Sequence, residues 1–126
     1  MTMFWQSYPN RVTKEITPGD TAVHFVASDG SIYATLAALQ AAGKTAWPGL
    51  DPGCNQAGML CVRSIAASGS ADGSPFYYAT NTPTAVQTSM TYVSGSGQER
   101  QVSGTLWCVA IKATSATDII ELEWRY

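Results

Sequence analysis

The residues that could do chemistry in this chain are few. His24 is the only histidine. As a general base or triad member it would need a neighbouring nucleophile and an orienting carboxylate. No nucleophile elbow or cysteine-protease signature accompanies it. Its place in the alternating run Ala22–Ala27 reads as a structural histidine. Cys54, Cys61 and Cys108 are an odd set without the spacing of a disulfide framework, and they read as free thiols. With His24 they would complete a three-sulfur, one-nitrogen zinc set, but the Cys54–Cys61 gap exceeds knuckle spacing and no second pair follows. Glu121 and Glu123 stand two apart on a strand-like segment, roughly 6–7 Å between Cα atoms. Glycosidases place two carboxylates at comparable distances. Arg125 continues the same alternation, which fits an ordinary solvated charge ladder. Neither the Gly95/Gly97 pair nor Asp72-Gly73 matches a phosphate-binding or calcium-loop pattern. The expectation is a non-enzymatic protein with no cofactor and no bound metal.

The elements that carry these residues read as strands. Arg11–Ile16 alternates, with Val12 and Ile16 on one side. Ala22–Ala27 alternates next, Val23, Phe25 and Ala27 opposite His24 and Val26, and Asp29-Gly30 closes a tight turn. Ile32–Ala42 is Ala-rich with Ile32, Leu36 and Leu39 at helical spacing and Gly43 as a stop, so it reads as one short helix, with Ile32–Thr35 as a possible continuation of the hairpin. Lys44–Gly58 is a long loop punctuated by Pro48-Gly49 and Pro52-Gly53, pinned by Trp47. Met59–Ile65, Phe76–Ala79 and Val86–Val93 are further strands, with a flexible loop over Ala66–Pro75 and a linker-like turn over Ser94–Gly97. Thr105–Lys112 is apolar on both faces and reads as a central strand. In Asp118–Tyr126, Ile120, Leu122, Trp124 and Tyr126 face inward while Glu121, Glu123 and Arg125 face out. About seven strands and at most one short helix make an all-β antiparallel sandwich or jelly roll. The expected organisation is an N-terminal aromatic arm, residues 1–9, followed by a single domain, residues 10–126.

Composition narrows the function further. The 126 residues are 45 % hydrophobic but only 13 % charged, about half the usual share of roughly 25 %. A surface so poor in charge is weakly protected against association; coverage by neighbours would account for it, and so would a small-residue, turn-rich β protein that tolerates few charges. The net charge is −2 and the seven basic residues are scattered, so no stripe exists to neutralise a nucleic-acid backbone. No apolar run is long enough for a transmembrane helix, and Met1–Trp5 lacks the features of a signal peptide. The expected setting is therefore cytoplasmic synthesis with no membrane and no nucleic-acid partner. Phe4, Trp5 and Tyr8 crowd the first nine residues, where such rings are rare unless they dock, either back on their own domain or on a neighbour. Trp47, Phe76, Tyr77 and Tyr78 read first as core filling and loop pinning, with a carbohydrate-stacking platform as the alternative.

The chain resembles the small capsid decoration (cement) proteins of tailed bacteriophages. The resemblance rests on the aromatic arm, the Gly/Ser/Ala-rich stretch Ala66-Ala67-Ser68-Gly69-Ser70-Ala71-Asp72-Gly73, and the closing segment from Val109 to Trp124. It implies a β-sandwich or jelly-roll subunit, often a homotrimer, on the capsid surface of the virion at junctions between major capsid proteins. Phe4, Trp5, Tyr8 and Trp47 are the expected contact residues. The alternative is a phage fibre or tail-associated module that binds a glycan through loop aromatics.

Overall fold

The computed structural model describes residues 10–44, 57–69, 71–80, 90–103 and 109–126. The expected arm, with Phe4, Trp5 and Tyr8, lies outside the described residues, as do Trp47, Cys54 and Cys108. The strands are β1 (Arg11–Ile16), β2 (Val23–Val26), β3 (Ile32–Tyr33), β4 (Ala57–Ile65), β5 (Phe76–Thr80), β6 (Thr91–Val93), β7 (Gln98–Ser103), β8 (Val109–Ala113) and β9 (Ile119–Arg125). One helix, α1 (Leu36–Ala41), follows β3.

The strands form two antiparallel sheets, β1-β9-β4-β7 and β3-β2-β8-β5-β6. The pairs β1–β9, β2–β8, β4–β7 and β5–β6 nest inside one another. The chain is thus one long hairpin rolled across two sheets, which is jelly-roll connectivity, with β3 added at an edge. Strand order of this kind is invisible to periodicity, because alternation reports a strand's faces and not its neighbours.

Alternation decides what is buried. From β9, Ile120, Leu122 and Trp124 meet Leu60 and Val62 of β4 and, from the opposite sheet, Phe76, Tyr78, Val109 and Ile111. All of these are almost completely buried. Gly58 keeps β4 close to this core, since a Cβ there would lie 2.4 Å from the Trp124 ring. A second apolar cluster sits on the outer face of the five-stranded sheet, where Phe25, Ala79, Met90 and Ala110 pack with Leu39 of α1. The central position and double cover expected for the strand ending at Lys112 hold for its described part, Val109–Ala113; residues 105–108 lie outside the described residues.

Three local expectations need correction. The segment after Asp29-Gly30 is both hairpin and helix: Ile32 pairs with Val26 and Tyr33 with Phe25, and only then does α1 begin. Thr35 caps it by accepting from the Ala38 N–H at 3.0 Å, and Gly43, at φ +72°, ends it as the Gly43 and Lys44 N–H groups donate to Gln40 and Leu39. Residues 98–103 form a strand that alternation did not announce, because its inward positions hold Gln98 and Arg100 opposite Val62 and Leu60. Ser94–Gly97 is a tightly packed turn and not a linker. Gly95 is buried, and a Cβ on it would fall 1.8 Å from the Gly73 carbonyl oxygen.

Candidate functional site

Three outer surfaces hold chemistry-bearing side chains. The first is the outward face of the four-stranded sheet. Register aligns Thr13, Glu123, Cys61 and Glu99 in one row across β1, β9, β4 and β7. The adjacent row holds Glu15, Glu121 and Arg63; the other holds Arg11, Arg125, Met59 and Gln101. Arg11 and Arg125 both pair with Glu123, and Arg63 with Glu121 at 3.6 Å. An open groove of about 380 Å³ runs along Cys61, Arg63, Glu99, Glu121, Glu123 and Arg125.

The groove contains both carboxylates of the glycosidase-like pair, but each faces a guanidinium. A proton-donating carboxyl needs apolar surroundings, which neither has. Cys61 is a free thiol at the centre of the groove. Burial pushes it up to about 11; Arg125 pulls against that shift and Glu99 and Glu123 add to it. A thiol so placed carries almost no thiolate at neutral pH, which is the reverse of a nucleophilic cysteine.

His24 lies elsewhere, on the inter-sheet side of β2 opposite Ile111. Its Nε2 meets Asp20 Oδ1 at 2.6 Å and ties the β1–β2 loop to β2. Cys61 and His24 therefore stand on different sheets and do not share a ligand set. Among the described residues no group of three His, Cys, Asp or Glu is suited to a metal ion, and no helix is long and apolar enough to cross a membrane.

The second surface is aromatic. Of the platform suggested by sequence, Phe76 and Tyr78 are fully buried in the core. Among the described residues the Tyr78 hydroxyl has no hydrogen-bond partner. Of its described members only Tyr77 faces outward, and it meets a residue that the sequence did not single out. Tyr92, opposite it in register, packs edge-to-face at 5.6 Å between ring centroids. Tyr92 is 58 % exposed. The signal was present in the alternation of Tyr92 with Val93, but which face is wet depends on β6 being an edge strand.

The third surface is the end of the sandwich where β1 begins. Asn10 and Tyr126 exchange backbone hydrogen bonds of 2.9 and 3.0 Å. Gly58 follows in the same row on β4, one residue before the Met59–Arg125 pair. Asn10, which follows residues 1–9, and Gly58, near the start of β4, are thus two strand spacings apart, roughly 10 Å.

Sheet edges offer little to a partner. On β1 the inward position between Val12 and Ile16 is Lys14, and on β7 it is Arg100. The edges of the other sheet, β3 and β6, are two and three residues long. Inward charges and short edges both discourage strand addition. Comparison with protein families, with curated proteins and with solved structures finds no match to this chain.

Proposed function

We propose that the chain is a structural subunit without enzymatic activity, a capsid decoration (cement) protein of a tailed bacteriophage. It would act as a homotrimer on the virion surface, bound between major capsid proteins. The observation that carries this reading is the shared root of the arm and the long loop in one row at one end of the sandwich, Asn10 and Tyr126 beside Gly58. Side chains of the two segments, Phe4, Trp5, Tyr8 and Trp47, can then serve one anchor. The guarded edges support attachment through such an end rather than by strand pairing. Jelly rolls serve viral capsids, lectins and cupins alike, so the fold is compatible with the role without selecting it. Many copies on a symmetric shell convert a modest individual contact into firm attachment.

Light scattering on a sizing column tests the oligomer: a mass near three times 13.4 kDa is expected. Co-sedimentation with purified phage heads tests attachment. Removal of residues 1–9 is expected to abolish it, and unchanged binding by the shortened chain would overturn the role given to the arm.

A further inference from the structure

We infer that Tyr77, Tyr92 and Lys112 form a saccharide-stacking site for a neutral glycan, separate from the end of the sandwich that holds Asn10. Register lines up Val23, Lys112, Tyr77 and Tyr92 in one row across β2, β8, β5 and β6. The row lies on the outer face of the five-stranded sheet, one residue in from the Phe76–Val93 pair. Helix α1 covers the other half of that face around Phe25 and Leu39. Tyr77 leans on this covered cluster, so its ring is anchored, and Tyr92 stands edge-to-face against it. Both are fixed by strand pairing, so little ordering is needed when a ligand arrives.

The size of the surface selects the occupant. Tyr92 is the one large hydrophobic residue exposed among those described. A stable protein interface takes roughly 800 Å² from each partner, far more than one ring supplies. A single open ring does suit the C–H face of one sugar unit, while the phenol hydroxyls and an ammonium meet its hydroxyl groups. Lys112 Nζ is held by the Thr21 carbonyl at 2.5 Å, which leaves donor capacity for a ligand. Asp20 lies within electrostatic reach of Lys112, its carboxyl held low first by the His24 hydrogen bond and further by Lys112. With that carboxylate one residue along the chain from the Thr21 carbonyl that holds the ammonium, an acidic sugar gains no advantage.

Titration of the full-length protein with cellohexaose and chitohexaose, followed by ¹⁵N–¹H NMR, tests the site. At least one should shift the backbone signals of Tyr77, Tyr92 and Lys112. Tyr92→Ala should weaken binding about tenfold, and Tyr92→Trp should retain it. Protein lacking residues 1–9 should bind the sugar as tightly as the parent, which separates this site from the capsid anchor. No shift with either sugar, equal binding by Tyr92→Ala, or tighter binding of an oligogalacturonate would overturn the inference.

Discussion

Two polar clusters of this protein are built from different residues and do opposite work. At the end of the sandwich away from Asn10, Ser64 and Asp118 are buried. Ser64 Oγ donates to the Ser74 carbonyl and the Ser74 N–H donates to Asp118 Oδ2, both at 2.6 Å. The Ser64 N–H donates to Gly95 O, the Gly73 N–H donates to Ser64 O, and the Thr114 hydroxyl donates to Pro75 O. Three loops are thereby tied into one knot. On the outer face of the four-stranded sheet, the ladder of Arg11, Arg63, Arg125, Glu99, Glu121 and Glu123 carries more charge but stands in water. Ser64 and Asp118 have exchanged water for partners within the knot, so losing such a partner leaves an unsatisfied buried atom. The ladder groups keep water as a substitute. Shape and burial, rather than the number of charges, decide which cluster holds the fold.

The comparison is broken most severely at Gly95. Gly95→Ala would drive a Cβ into the backbone of Gly73 at 1.8 Å, where no side-chain rotation relieves it. A loss of about 3 kcal/mol or more is expected, read as a lower denaturant midpoint. Asp118→Ala should follow at about 2 kcal/mol, because it strands the Ser74 N–H. If Asp118→Ala matched a ladder substitution in effect, the knot would not be what holds these loops together.

These effects also mark what sequence could and could not disclose. Segments β1 and β9 were legible because one face of each meets a core and burial writes itself into alternation, and β8 was legible because both its faces are covered and its sequence is apolar throughout. The helix was legible in its Ala content and in Gly43, although the hairpin took Ile32 and Tyr33 first. By contrast, β7 was hidden because an edge strand keeps even its inward positions, Gln98 and Arg100, exposed. The knot was hidden for a different reason. Ser74 and Asp118 are 44 residues apart, and a Gly-Ser turn that needs glycine for close approach has the same letters as one that needs it for flexibility. Likewise, no local pattern distinguishes the buried Tyr78 from the outward Tyr77 until β5 is known to lie inside the five-stranded sheet. The groove was half legible: Glu121, Glu123 and Arg125 were read outward from β9 alone, while Cys61, Arg63 and Glu99 joined them only through register.

Cys61 offers a sharper probe of the wet face. Its thiol is raised from 9.0 to about 11 by burial. The folded state thus favours the neutral thiol, so its contribution to stability is whole below pH 9 and fades as the pH rises through about 11. Unfolding midpoints measured from pH 8 to 11 should fall more for the parent than for Cys61→Ala. Alkylation of Cys61 by iodoacetamide should be slow at pH 8 and accelerate near pH 11.

The smallest effect belongs to the ladder itself. Glu121→Gln and Arg63→Met should each change stability by less than about 1 kcal/mol, since both partners of this 3.6 Å pair are partly exposed. A double-mutant cycle should return a coupling of a few tenths of a kcal/mol that shrinks further in 1 M salt, where screening acts over about 3 Å. A coupling near 2 kcal/mol that survived salt would mean that the groove is shielded from water. The contrast between a buried knot and a wet ladder would then fail at its exposed half, and the groove would have to be reconsidered as a closed site in which Glu121 and Arg63 meet a ligand.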